Sequence, residues 1–334
     1  MKNKKLKTGL LIFAIIIIII FAIRTINHYR YPIVNIPESY LLPGNITDYS
    51  LNQEGMEIKI VQDGYLNALH MIPNEKTSKG LVVTFSGSSK GCDYERSVML
   101  AKEGYEVMAM FYFGQKNQVE SYNNVPLEFF SDLLKYTKDN NIDTSELTVL
   151  GISKGAELSL VLSNYYAKDI DNIVLFAPSA YVFQGGDMMA KTSSWAYKGV
   201  ELPYISLFPN FINGFNMITA LIFYTPYAYR AHHINVVETQ ENIEEYEIDF
   251  SNFTGDILIF AGEDDQLWHS DIMGTKIKEK ALGNVELHIY PDAGHAFLPV
   301  SKIPYSNLGG TLEGNTASQV ESNASLLEFL KIRH

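Results

Sequence analysis

One cysteine, Cys92, is all that 334 residues contain, which excludes an intrachain disulfide framework and any Cys-rich zinc site. No H-E-x-x-H segment is present, and the adjacent His232 and His233 lack the spacing that puts two ligands on one helix face. No metal is expected. The chain also lacks a glycine-rich nucleotide fingerprint, so no cofactor is expected. There is no internal repeat, and no low-complexity tract beyond one isoleucine run. A basic excess is missing too: 26 Lys and Arg face 38 Asp and Glu, a net charge of −12, which argues against nucleic acid as a partner. What is present is ordinary for a folded chain. The hydrophobic share is 46% and the charged share 19%, so wholesale disorder is excluded. At ~150 residues per domain the length allows one large domain or two small ones. It does not set the oligomeric state.

Charge is unevenly spread. Residues 1–30 hold six Lys or Arg and no acid, leaving 20 basic against 38 acidic residues behind them. Leu10–Ile23 is an unbroken apolar run with six isoleucines, Ile15–Ile20. Its length, about 8–23 with Thr8 and Gly9, corresponds to ~21–24 Å of helix, between a signal-peptide core and a full ~30 Å span. The residues that follow, Arg24-Thr25-Ile26-Asn27-His28-Tyr29-Arg30, offer no small-x-small cleavage site. An uncleaved, single-pass signal-anchor is expected, its Lys and Arg snorkelling to make up length. Four lysines before the run against two arginines after it favour a cytoplasmic N-terminus. The rest of the chain would then lie outside the cytoplasm.

Residues 31–55, with Pro32, Pro37, Pro43 and Gly44, read as a linker. From residue 56 to 334 short strand-like runs alternate with helical patterns. Met56–Gln62 and Tyr65–Ile72 flank Asp63-Gly64, a hairpin signal. Leu81–Phe85, Tyr105–Phe113, Leu147–Leu150, Ile173–Phe176, Ile257–Phe260 and Val285–Tyr290 read as strands. Helices are expected around Tyr94–Lys102, from Pro126 onward, and over Ala156–Tyr166, Ile272–Ala281 and Ser318–Ile332. The alternation predicts an α/β fold with a mostly parallel sheet. Between two core strands an insert of about 181–252 predicts a cap. Its aromatic stretch Ile205–Tyr229 has three readings: a lining for the site, the cap's own small core, or a membrane-facing surface.

The chemistry centres on Gly151-Ile152-Ser153-Lys154-Gly155. This G-x-S-x-G directly follows a strand and directly precedes a helix, the context of a nucleophile elbow on an α/β-hydrolase fold. Gly151 and Gly155 are the positions where bulk would clash with the neighbouring strand and helix. In that arrangement the acid and then the base follow on loops after later strands. His295 stands in the loop after Val285–Tyr290 and is the expected base. Asp265 is favoured over Asp264 as the orienting acid, because it stands three residues after Gly262. Glu263 and Asp292 read as surface carboxylates. Two backbone N–H groups should hold the oxyanion: that of Lys154, and one from Gly87 or Ser88 in the loop after Leu81–Phe85. The expected chemistry is acyl transfer through an acyl-enzyme, to water in a hydrolase or to an amine or alcohol in a transferase.

Longer segments resemble one family, the C-terminal hydrolase domain of acyl-CoA thioesterases and bile acid–CoA:amino acid N-acyltransferase. Gly151-Ile152-Ser153-Lys154-Gly155-Ala156-Glu157-Leu158 resembles its G-I-S-K-G-x-E-L elbow. Gly262-Glu263-Asp264-Asp265 with Trp268 resembles its G-x-D-D-x-x-W acid loop, whose second Asp is the triad member, and Gly294-His295 matches its G-H. Arg96, Gly104–Ala109, Pro126–Phe130 and Tyr197–Pro203 also resemble family segments. The resemblance covers roughly residues 63–300. Two departures stand out. The family's glycine-rich oxyanion loop is here Gly87-Ser88-Ser89-Lys90-Gly91, and residues 31–80 are too few for the β-sandwich domain that precedes the family's hydrolase domain. The resemblance implies hydrolysis of, or transfer from, an acyl-CoA thioester. That conflicts with an extracytoplasmic domain, because CoA is a cytoplasmic metabolite. A carboxylesterase or peptidase using the same residues is the alternative, and a catalytically silent binding protein a more distant one.

Overall fold

The computed structural model describes every residue except 1, 33, 42–43, 188–190 and 209–210. Pro43 therefore lies outside the described residues, as do short pieces of the insert. Eight strands form one sheet. We label them β1 (Met56–Asp63), β2 (Leu66–Pro73), β3 (Leu81–Phe85), β4 (Val107–Phe111), β5 (Leu147–Ile152), β6 (Asn172–Phe176), β7 (Asp256–Gly262) and β8 (Val285–Tyr290). Their spatial order is β1-β2-β4-β3-β5-β6-β7-β8. β1–β2 and β2–β4 pair antiparallel; every later pairing is parallel. The four strands β3 to β6 are buried at every residue, as strands covered by helices on both faces must be. The edge strand β1 instead alternates buried and exposed residues over most of its length.

Helices α1 (Lys2–Arg30), α2 (Tyr94–Lys102), α3 (Phe129–Asp139), α4 (Lys154–Tyr165), α5 (Phe211–Phe223), α6 (Arg230–Glu238), α7 (Ser270–Lys280) and α8 (Leu312–Arg333) complete the fold. One sheet face packs on α3, α4 and α7 through Phe130, Leu133, Leu158, Leu162, Met273 and Ile277. The other packs on α2 and α8 through Val98, Leu100, Leu326 and Phe329. Each buried Leu or Phe contributes about 1.5–3 kcal/mol relative to exposure. The linker is seated as well. Ile46 and Tyr49 are buried in the second face's core, and the Gln115 side chain accepts from the Ile46 N–H at 3.2 Å.

Three expectations need correction. Pro126 does not open a helix. It pairs as an edge residue with Ala196 in a short side sheet, where a missing N–H costs nothing, and α3 begins at Phe129. The last helix starts six residues early, because Thr311 accepts from the Gly314 N–H at 2.9 Å and caps it. The N-terminal helix is also longer than its apolar run. The span-like stretch Leu6–Arg30 is 25 residues, or ~37 Å at 1.5 Å per residue, and its most apolar 18-residue window has a mean hydropathy of 2.9. That is long and apolar enough to cross a membrane, and a signal sequence passes the same test.

The insert leaves after β6 and returns before β7. It carries a two-stranded ribbon (Trp195–Tyr197 and Val200–Glu201), α5 and α6. Of the three readings of its aromatic stretch, a cap core fails for α5: Ala220 is the one buried residue among its thirteen.

Candidate active site

Ser153 is the single residue between β5 and α4, at φ 56° and ψ −118°. A non-glycine residue there is strained and must be held by its surroundings. Its N–H donates to the Phe176 carbonyl at 2.8 Å, and its own carbonyl accepts from Ala156 and Glu157. The flanking glycines answer to packing. A Cβ on Gly151 would run into the Gly155 carbonyl, and one on Gly155 into the carbonyls of Phe85 and Ser86. The G-x-S-x-G pattern thus records how closely β5, α4 and the end of β3 approach.

His295, on the loop after β8, reaches Ser153 from the side. Its Nε2 lies 2.8 Å from Ser153 Oγ and its Nδ1 2.8 Å from Asp265 Oδ2. Since a carboxylate only accepts, Nδ1 carries the proton and Nε2 is the acceptor for the serine hydroxyl. Asp265 is fully buried and accepts three further hydrogen bonds, from the Leu267 N–H at 2.9 Å, the Trp268 N–H at 3.2 Å and the Ser270 hydroxyl at 2.7 Å. Those donors replace water around the carboxylate. Asp264 is exposed and turned away, accepting from Gln266 Nε2 at 2.6 Å and the Gly310 N–H at 2.8 Å. Glu263 and Asp292 are exposed. Proximity to His295 therefore singles out Asp265 of the four carboxylates.

Lys154 is the first residue of α4, where helix N–H groups have no intrahelical acceptor and the helix dipole is positive. Gly87 lies against the serine; a Cβ on it would stand 3.3 Å from Ser153 Cβ. Its carbonyl accepts from the Tyr112 hydroxyl. Ser88 lines both cavities that meet at Ser153. One, of ≈ 350 Å³, lies under the cap against Tyr122, Phe183, Leu207, Tyr229, His233 and Trp268. The other, of ≈ 250 Å³, is walled largely by Ile36, Leu41, Ile152, Leu298, Val300 and Leu308. Among the described residues no three His, Cys, Asp or Glu side chains cluster to hold a metal ion.

The fold is found in solved enzymes. An esterase of Pyrococcus furiosus aligns with a TM-score of 0.50 over 83% of this chain and 92% of its own, at 18% identity. An esterase/lipase from an uncultured bacterium aligns with a TM-score of 0.50 over 94% and 98%, at 11% identity. At such identities the likeness speaks for the fold alone. Sequence decides the family. The pattern described as BAAT / Acyl-CoA thioester hydrolase C terminal matches residues 125–333. This chain belongs to that family. Among relatives, mouse (Mus musculus) mitochondrial acyl-coenzyme A thioesterase 2 is 23% identical over 250 residues, 72% of this chain and 49% of its own length. Mouse acyl-coenzyme A amino acid N-acyltransferase 1 is 24% identical over 301 residues, 83% of this chain and 65% of its own. The chain spans about half the length of the thioesterases it matches.

Within this thioester hydrolase family's G-I-S-K-G-x-E-L segment, two residues have a second task. The Lys154 Nζ lies 2.8 Å from both Glu157 carboxylate oxygens and donates to the Phe183 carbonyl at 3.2 Å. Glu157 also accepts from Trp195 Nε1 at 2.8 Å and the Phe183 N–H at 3.2 Å. Burial drives the Lys154 ammonium down and the Glu157 carboxyl up from their ordinary values. The hydrogen bonds offset that cost, and they bolt the base of the cap to the elbow helix.

Of three further site residues, His233 and Asn315 carried no signal along the chain, and Trp268 was marked only by its place in the acid-loop resemblance. His233 is set aside in the sequence because it does not follow a strand, yet α6 brings it into the cap-side cavity. Burial drives its pKa down to about 3, so it is neutral at ordinary pH. Trp268 stands edge-on to the His295 ring, centroids 5.5 Å apart, and donates to the Ala177 carbonyl at 3.1 Å. Asn315, on α8, is buried. It accepts from the Gly294 N–H at 2.7 Å and donates to the Val300 carbonyl at 3.0 Å and the Gly309 carbonyl at 3.1 Å. It thereby fixes the loop that aims His295.

Proposed function

We propose that this protein is a membrane-anchored serine hydrolase that cleaves, or transfers, the acyl group of a thioester or ester. The observation that carries the reading is the unbroken hydrogen-bond chain from Ser153 Oγ through His295 to buried Asp265. His295 takes the serine proton as Oγ attacks the acyl carbonyl, and Asp265 stabilises the imidazolium that forms. The N–H groups of Lys154 and of Gly87 or Ser88 hold the oxyanion at the N-terminus of α4. His295 then protonates the leaving thiol or alcohol. Water, or an amine, activated by the same imidazole releases the acyl group from Ser153.

The membrane part of the proposal rests on α1. Its residues 6–19 are exposed to the last one, an arrangement water does not tolerate over so apolar a helix. Lysines before the run set the N-terminus in the cytoplasm and the hydrolase domain outside. In that topology an ester or thioester of the envelope or surroundings is the substrate, rather than acyl-CoA.

Labelling of the full chain with a fluorophosphonate probe, with and without Ser153→Ala, tests the chemistry. Labelling of the parent alone is expected; equal labelling of both removes Ser153 from the reading. Protease treatment of intact cells, with any wall removed, tests the topology. Cleavage of the domain is expected, and protection would place it in the cytoplasm with acyl-CoA as the leading substrate.

A further inference from the structure

The cap helix α5 presents a solvent-facing apolar surface. Its thirteen residues, Phe211–Phe223, include no charged side chain. Phe211 is 88% exposed, Phe215 60% and Ile218 57%, at the i, i+4, i+7 spacing of one helical stripe. Ile212 and Leu221 widen the stripe. A contiguous exposed apolar stripe without a charged side chain marks a contact with another apolar surface.

The position of α5 says which phase. Its C-terminal carbonyls are capped by α1. Arg24 donates to the Leu221 carbonyl at 2.9 Å and to the Tyr305 hydroxyl at 2.8 Å, and Asn27 donates to the Phe223 carbonyl at 2.8 Å. Arg24 is the first charge after the apolar run, so a spanning α1 leaves it at the headgroup level. The carbonyls it caps must lie at the same level. The C-terminal end of the α5 stripe therefore adjoins the exposed apolar helix α1.

The same region frames both cavities at Ser153. The excursion carrying α5 departs after Leu207 and returns before Tyr229, and both line the cap-side cavity. The second cavity is walled by Ile36, Tyr40 and Leu41, on the segment that leaves α1, and by Ile303, beside Tyr305. An acyl chain that reached Ser153 through the second cavity would lie largely between apolar side chains.

We infer that α5 lies in the bilayer surface beside α1, and that Ser153 takes its substrate from the membrane: a lipid acyl ester whose chain enters the cavity between Ile36, Leu41 and Val300. This deepens the anchored-hydrolase reading and rests on it. The ester C–O bond breaks as the acyl–Oγ bond forms, the serine proton passes through His295 to the leaving lipid alcohol, and water frees the fatty acid.

The test uses the full chain in phosphatidylcholine–phosphatidylglycerol vesicles. Phe215→Trp places an indole on the stripe, and brominated acyl chains should quench it. The parent protein should cleave both a water-soluble short-chain nitrophenyl ester and a fluorogenic phospholipid ester in the vesicle. The double variant Phe215→Asp, Ile218→Asp should lose about tenfold or more on the vesicle substrate, since apolar burial drives interfacial seating. Its rate on the soluble ester should stay within about twofold, because neither residue touches the site. An unquenched indole overturns the inference, whether water or a second copy covers it. So does equal loss on both substrates. Failure to cleave the soluble ester or bind the fluorophosphonate would instead overturn the hydrolase reading itself.

Discussion

Helices α4 and α5 differ in length by one residue, twelve against thirteen, and α5 is the more apolar of the two. Yet ten residues of α4 are buried against one of α5. α4 follows a central strand and is sandwiched between sheet and cap, so even its Lys154, Glu157, Ser159 and Ser163 are enclosed. Each enclosed polar group is matched by a partner. α5 begins and ends outside the sheet layers. Composition sets how much a helix gains by leaving water, and topology sets whether protein or another phase receives it.

The largest effect expected lies at the α4 end. Ser153→Ala should lower kcat by about 10⁴–10⁶ in a soluble-ester assay while leaving the melting curve in place. A change of less than tenfold would mean that Ser153 is not the nucleophile. Asp265→Asn should cost on the order of 10³–10⁴ in kcat by upsetting the His295 tautomer, whereas Asp264→Asn should stay within about threefold. The reverse result would exchange the two carboxylates.

A stability comparison addresses the helices directly. Leu160→Ala in α4 should cost about 2–5 kcal/mol in urea unfolding of the detergent-solubilised chain. Ile218→Ala in α5 should stay within about 0.5 kcal/mol. Equal losses would show that α5 is packed by protein after all.

A last effect is a titration under the cap. His233 is held at about 3 by burial against an ordinary value of 6.5. Between those limits the unfolded chain binds the proton and the folded chain does not. Stability is therefore whole above pH 6.5 and falls as the pH drops toward 3, by up to about 1.4 kcal/mol per unit for this one group. His233→Gln should flatten that part of the curve, measured by urea unfolding from pH 7 to 4. An unchanged slope would mean that the cap opens enough to hydrate the ring.

The strands were readable because β3 to β6 are short, β-branched or aromatic runs, and the elbow because two glycines bracket Ser153. Pro126 misled, since proline suits a helix's first turn and a sheet edge equally, and only the partner Trp195–Ala196 distinguishes them. His233 and Asn315 reach the site from α6 and α8, and no spacing along the chain encodes such meetings, whereas Trp268 was legible through its place in the acid-loop resemblance. The isoleucine run showed an apolar stretch but hid the helix's length, because Arg24–Arg30 continue it with polar residues that α5 and Tyr305 partly satisfy.

The order of residues placed the candidate groups on the ends of particular strands, because those positions depend on local periodicity and on turns that only glycine allows. Packing settled which groups meet. It chose Asp265 over its neighbour by aiming one carboxylate at His295 and the other at solvent. It buried a Lys–Glu pair where the local sequence shows only charge. It also left the most apolar helix of the cap uncovered beside α1, because burial depends on what lies across from a side chain, and that is a property of the whole fold.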